Sequence, residues 1–259
     1  MSTAPRSVPL ARVAEGYWAE SSRPLASLVF IAPLLIIYEV GVRILGSQAA
    51  RNGADIWMRR MLGWMDFDQY FLLPVLTVCI LLGWHYTTRQ TWRLSSGILY
   101  GMTVESVLLA ICLRVVLYVQ GVAWHALSRS LGSTGAQPAA AVDVSGTAGR
   151  LVGFLGAGVY EELLFRLILL SLVAWIVRRL GARQRPGLIA AVVLTSLVFA
   201  LAHYLGQYGE PLAWREVSFW FGLLFRFVAG VFFSVLFVYR GFGIAAGSHA
   251  GYDILVGAF

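Results

Sequence analysis

Glu161, Glu162 and Arg166 stand inside the apolar stretch GAGVYEELLFRLILL, in a segment long enough to cross a bilayer. A bare charge at the centre of a membrane helix costs about 2.5–3.5 kcal/mol on insertion scales. Two carboxylates and a guanidinium at such a depth must therefore face protein or trapped water. Glu162 and Arg166 are four residues apart, so they share a helix face and can neutralise each other. Glu161 points about 100° away from Glu162 and is free to enter a cavity. Two later apolar segments repeat the pattern. Phe199 and His203 stand four apart in FALAH, and His249 and Asp253 four apart in HAGYD. A single histidine in an apolar helix is more often a packing residue, and a Glu–Arg pair can be structural glue. Three segments each sending ionisable groups inward would be too costly without a use.

A carboxylate and an imidazole beside a second imidazole suit general-base activation of water. A buried glutamate could take a proton from water and an imidazole could pass it to a leaving amine. A further imidazole could donate to a developing oxyanion. That is peptide hydrolysis without a covalent intermediate. Other designs fit less well. Neither His203 nor His249 belongs to an HExxH zinc motif. An aspartyl protease needs two aspartates, and only Asp253 is offered, with no GxGD partner. No GxSxG elbow is present. All 20 basic residues are Arg, which excludes a Ser-Lys dyad, a lysine Schiff base and a Walker A phosphate loop.

These groups must be positioned by helices in lipid. The 259 residues are 59% hydrophobic and 13% charged, which is not the balance of a soluble domain of this size. The expected fold class is all-α, a polytopic membrane bundle of about seven transmembrane helices (six to eight). Seven spans are read at residues 24–45, 70–84, 97–120, 151–176, 186–205, 218–239 and 242 to the C-terminus. The second is short for a membrane crossing of ~20 residues. The first 23 residues are polar, and the apolar run after them continues past Glu39 and Arg43, which suits a retained span rather than a cleaved signal peptide. DIWMRRMLGWM, residues 55–65, reads as a short helix on the membrane surface. The whole chain is expected to be one integral membrane domain. Within it, 1–131 hold the N-terminal transmembrane helices, 132–150 a small, polar loop, and 151–259 the catalytic core.

The formal charge of +7 is spread over several short loops, so it fits the basic excess of cytoplasmic loops and not a nucleic-acid surface. Arg178, Arg179, Arg183 and Arg185 share a side with the N-terminus, which places both in the cytoplasm and the protein in the cell membrane. Trp18, Trp84, Tyr86, Trp124 and Trp214 read as interfacial anchors. Cys79 and Cys112 read as buried small hydrophobes, and His85 and His125 as solvated loop residues. Glu39, Glu105, Arg43, Arg114 and Arg226 read as interhelical pairs or snorkelling ends.

The three motifs, EELLFR, FALAH and HAGYD, in this order and on successive apolar segments, resemble the CAAX protease and bacteriocin-processing family (CPBP, also called Abi), which includes the type II CAAX prenyl endopeptidases. The family pattern is EExxxR, FxxxH and HxxxN or HxxxD. The resemblance runs from about Leu151 to the C-terminus. It implies that Glu161 and His203 activate water, that Glu162 and Arg166 form a supporting pair, and that His249 and Asp253 stabilise the oxyanion. Asp253 departs from the Asn of the prenyl endopeptidases. An ionised Asp cannot donate to an oxyanion, so Asp253 is either protonated or orients His249.

The expected function is an intramembrane endopeptidase with no cofactor, cutting a peptide bond near the terminus of a membrane-embedded or lipidated peptide, CAAX-type or prenylated by the resemblance alone. Two alternatives stay open. Glu161, His203, His249 and Asp253 could form a zinc site. The chain could instead be non-catalytic, as an immunity or partner-binding protein, or a transporter using its buried charges, although no internal repeat supports the last.

Overall fold

The computed structural model describes residues 10–46, 51–67, 69–130, 146–205 and 209–258. Among the described residues the chain is helical, with no strand. The helices are α1 (Leu10–Ser21), α2 (Pro24–Leu45), α3 (Gly53–Gly63), α4 (Leu72–Thr88), α5 (Ser96–Ser130), α6 (Thr147–Gly156), α7 (Ser171–Arg179), α8 (Gln184–Ala202), α9 (Val217–Arg240) and α10 (Phe242–Ala258). Two π-helical stretches, Ala157–Glu161 and Leu163–Leu170, join α6 to α7, so the chain from Thr147 to Arg179 is one unbroken rod. π-Helical widening inside an α-helix is frequent at functional sites, and here it falls on the EELLFR motif.

Each of the seven expected spans lies on this framework. α2, α5, α8 and α9 are individually long and apolar enough to cross a membrane, while α4 is a shorter apolar helix. Ile36, Leu108, Ile111, Leu194 and Val235 stand exposed along them. In water such an apolar belt would be a liability; in lipid it is the expected outer surface. The protein is an integral membrane helical bundle. The loop read at 132–150 falls mostly on residues outside those described, and helix begins at Thr147.

The bundle is fastened by close backbone approaches and by ion pairs. A Cβ at Gly158 would lie 2.6 Å from the Ala250 Cβ and 2.7 Å from the Ala246 oxygen, so only glycine lets the first π stretch seat on α10. Gly241, at φ 83°, turns α9 directly into α10 in a conformation that L side chains avoid. Glu105 of α5 takes Arg240 of α9 through two contacts of 2.6 and 2.7 Å, and Tyr17 of α1 donates to the same carboxylate at 2.6 Å. Arg226 pairs with Glu210 and donates to Tyr204 at 2.8 Å. With Glu39 paired to Arg59 of α3 at 2.9 Å, Glu39, Glu105 and Arg226 thus form the pairs expected of intramembrane charges.

Four readings are corrected. His85 is not in a loop: α4 runs one turn beyond Trp84 before Arg89, in the left-handed region, ends it. Its imidazole is fully buried, edge-on to Trp92 with centroids 4.6 Å apart. His125 is exposed but helical, because α5 extends 35 residues, about 52 Å, well past a ~30 Å hydrocarbon core. Cys79 and Cys112 are exposed rather than buried, on faces of apolar helices that point away from the bundle. α3 is a short helix as read, but it is docked on the protein: Ala54, Asp55 and Met58 are buried, and only its far end, with Met61, is exposed.

Candidate active site

The rod from Thr147 to Arg179 carries Glu161 at the end of its first π stretch and Glu162 at the junction with the second. The two carboxylates diverge as their spacing requires. Glu162 is fully buried and its Oε1 lies 3.0 Å from Arg166 NH1, an ion pair between two interior side chains, not an aligned hydrogen bond. Arg166 is held in turn by the Gly230 carbonyl at 3.3 Å and by the faces of Phe199 and Phe233, at 4.2 and 5.4 Å. A guanidinium sandwiched by aromatic faces keeps a favourable environment where water is absent.

Glu162 Oε1 also contacts His249 Nδ1 at 2.7 Å. The His249 ring stacks on Phe233, with centroids 4.5 Å apart and planes 13° from parallel. Its orientation is therefore fixed from two directions, and Nε2 is turned toward Glu161 Oε2 at 3.7 Å and Asp253 Oδ2 at 3.6 Å. His203 closes the group. It caps α8, its Nδ1 lies 2.9 Å from the Phe199 carbonyl, and its Nε2 stands 4.0 Å from Glu161 Oε2. The segment after α8 folds back, with the Glu210 amide donating to the His203 carbonyl at 2.9 Å. The sequence alone puts His203 and His249 at different depths; with α8 ending at Ala202, both imidazoles stand within 4.0 Å of one Glu161 oxygen.

All six residues singled out in the sequence, Glu161, Glu162, Arg166, His203, His249 and Asp253, thus meet in one cluster. A seventh comes from the other half of the chain. Asn52 Nδ2 donates to Glu161 Oε1 at 2.6 Å, while Asn52 Oδ1 accepts from the Ala54 amide at 2.8 Å. One side chain both caps α3 and holds the carboxylate. The sequence signals the cap, an Asn before a helix start, but nothing in it links residue 52 to residue 161.

The remaining spacing is chemically informative. Glu161 Oε2 has no hydrogen-bond partner, and the His249 and His203 nitrogens stand 3.7 and 4.0 Å from it instead of in contact. Two cavities meet here. One, of about 370 Å³, is lined by Asn52, Arg60, Arg150, Glu161, His203 and Asp253, among others. The other, of about 820 Å³, also reaches His203 and Asp253 and is walled mainly by aromatic and aliphatic side chains, including Phe219, Phe225 and Tyr252. Among the described residues no group of three or more His, Cys, Asp or Glu side chains is arranged to hold a metal ion.

The segment 144–255 matches the family model described as type II CAAX prenyl endopeptidase, Rce1-like. The match spans all three motifs. No curated protein and no solved structure matches the chain.

Proposed function

From the premise that residues 144–255 belong to the Rce1-like type II CAAX prenyl endopeptidase family, and that the chain is therefore a membrane-embedded peptidase, we propose that it hydrolyses a peptide bond near the anchored terminus of a membrane substrate using water activated by Glu161 and His203. The observation that carries this reading is the unpartnered Glu161 Oε2, 4.0 Å from His203 Nε2. Atoms at that separation can both reach one water oxygen at hydrogen-bond distance. Glu161 takes a proton from the water as its oxygen adds to the scissile carbonyl, and that proton then passes by way of His203 to the leaving amine as the C–N bond breaks and the carbonyl re-forms. Asn52 holds the other carboxylate oxygen, so the base presents one defined face.

Stabilising the oxyanion requires a donor on His249 Nε2. With Nδ1 donating to Glu162, that means the doubly protonated ring, a form suited to an imidazole facing Glu161, Glu162 and Asp253. Asp253 then works through His249, as the second of the two roles open to it. Glu162 and Arg166 are the buried pair that fixes the imidazole.

The large apolar cavity supports a substrate with a lipid or apolar anchor, in keeping with a prenyl endopeptidase. The arginine-rich turn between α7 and α8 supports a cytoplasmic location for itself and for the N-terminus, in the cell membrane. His203 lies at the opposite end of α8 from that turn, so in this orientation the cleft opens away from the cytoplasm.

Glu161→Gln and His203→Ala should each lower cleavage of a lipidated peptide by about 10²–10⁴-fold in the reconstituted protein while leaving insertion intact. Activity near wild type in either variant removes the mechanism. The zinc alternative predicts loss of activity on strong chelation and its return with stoichiometric zinc. Activity that survives chelation supports the metal-independent route. A non-catalytic partner-binding or immunity role predicts function intact in the Glu161, His203 double variant.

A further inference from the structure

The smaller cavity has features that water activation does not use. It is bounded by two helical stripes. Arg150, Gly153, Phe154, Ala157 and Glu161 stand at positions i, i+3, i+4, i+7 and i+11 along the rod, so they share one face. Asn52, Ile56 and Arg60 likewise share a face on α3. The stripes begin together at the Asn52–Glu161 hydrogen bond and each carries an arginine farther along. Glu161 and Arg150 are eleven residues apart, about three turns and ~16 Å.

The arginines differ in how their charge is met. Arg51, also at this cavity, is paired with Asp55 at 2.8 Å. Arg60 and Arg150 form no ion pair among the described residues, and Arg150 Nε is buried without a hydrogen-bond partner. The acidic groups of the same cavity lie at its other end: Glu161 and Asp253 at the reacting centre, Glu210 paired with Arg226. The cavity is thus acidic where the bond would break and cationic some distance beyond.

Resting on the peptidase reading, the geometry points to a subsite for the free C-terminal carboxylate of the substrate, formed by Arg60 and Arg150. A guanidinium is the natural partner of a carboxylate, through charge-assisted and often bidentate hydrogen bonds. The length agrees. Three extended residues beyond the scissile carbonyl cover about 10 Å, and an arginine side chain reaches across the rest. The apolar anchor occupies the larger cavity, the scissile bond lies where the cavities meet, and the departing short peptide lies along the α3–α6 groove. The two arginines would act as a ruler, selecting a bond a few residues from a chain end over the same bond inside a longer chain.

The test uses a peptide with an S-farnesyl cysteine followed by three residues, made as the free acid and as the C-terminal amide, with full-length protein in phosphatidylcholine vesicles. The wild type should cleave the acid about 10- to 100-fold more efficiently in kcat/KM. In R60Q/R150Q the acid-to-amide ratio should fall to near one, and each single variant should lower it in part. Equal cleavage of acid and amide by the wild type overturns the subsite, as does a ratio undiminished in the variants. Equilibrium binding to the Glu161→Gln protein separates this proposal from the peptidase reading. An acid preference there, lost with both arginines, upholds the subsite even if no cleavage is ever seen, whereas equal binding overturns it. Repeating the assay with added phosphatidylglycerol addresses lipid headgroups. If the arginine substitutions alter the response to anionic lipid and not the acid-to-amide ratio, the arginines serve the membrane and the proposal falls.

Discussion

Two clusters of carboxylates and arginines adjoin along the chain at Tyr160 and Glu161, and they are built differently. In the first, Arg59 of α3 contacts both oxygens of Glu39 at 2.9 and 3.2 Å, Asp55 at 2.5 Å and the Tyr70 carbonyl at 2.5 Å. Tyr38 and Arg51 donate to Asp55 at 2.8 Å each, and Tyr160 donates to Glu39. Burial works against the Arg59 charge, yet Asp55 and Glu39 outweigh it and hold the guanidinium above its usual value. Every strong donor and acceptor here has a partner. The second cluster, around Glu161, leaves one oxygen of each carboxylate, Glu161 Oε2 and Glu162 Oε2, without a hydrogen-bond partner, and holds His249 and His203 at 3.7 and 4.0 Å from Glu161 Oε2. A polar network that serves stability is saturated, because each missing partner costs free energy. A network poised for chemistry keeps capacity for a substrate or water. The saturated cluster lies next to the unsaturated one in the chain, through Tyr160 and Glu161, and clamps α3 so that Asn52 reaches the base.

The contrast is broken most forcefully at the adjacent glutamates. Glu162→Gln removes the counter-charge of Arg166, whose side chain is 1% exposed. An orphaned buried charge costs about 3–5 kcal/mol, so unfolding in detergent should shift by that amount and activity should be lost with it. Glu161→Gln should stay within about 1 kcal/mol of wild type in the same melt, since its Oε2 has no partner to lose. Equal destabilisation by the two substitutions would erase the distinction between a carboxylate that neutralises a buried arginine and one that does not.

The next effect is smaller and falls on the other cluster. Arg59→Met leaves Glu39 and Asp55 without their shared cation. Arg59 keeps some solvent access, its side chain being 20% exposed, so the cost should be about 2–3 kcal/mol rather than the full value for a buried pair. Denaturant titration measures it. Cleavage should fall only as far as α3 loosens, and a variant of unchanged stability would show that the network is ornament.

What the sequence made legible follows from where its information is local. Glu162–Arg166 and His249–Asp253 are four apart on single helices, so one motif carries both the fold and the contact. Apolar length alone revealed the spans. Hydropathy does not say which side of an apolar helix faces lipid, and Cys79 and Cys112 were misread for that reason. Nor does it see a helix outlasting its apolar run, as at His85 and His125. The contacts that tie Glu210 to the end of α8, its amide on the His203 carbonyl and its ion pair with Arg226, have no spacing rule to announce them.

Asn52 is the sharpest test, because it links the helix that the first cluster clamps to the base of the second. Its Oδ1 is a helix cap and its Nδ2 is the only side-chain donor on Glu161 Oε1 among the described residues. Asn52→Ala removes both and should cost about 1 kcal/mol of stability through the cap. Asn52→Ser keeps a capping oxygen but cannot extend a donor to Glu161. Stability should then remain within a few tenths of a kcal/mol of wild type, while kcat falls about tenfold, the worth of one hydrogen bond to a charged group, and KM is little changed. The split between kcat and KM separates positioning of the base from any effect on the substrate groove, which Asn52 also lines. A rise in KM with kcat intact would move Asn52 out of the catalytic group and into the groove wall, and the boundary between the two clusters would then lie at Glu161 itself.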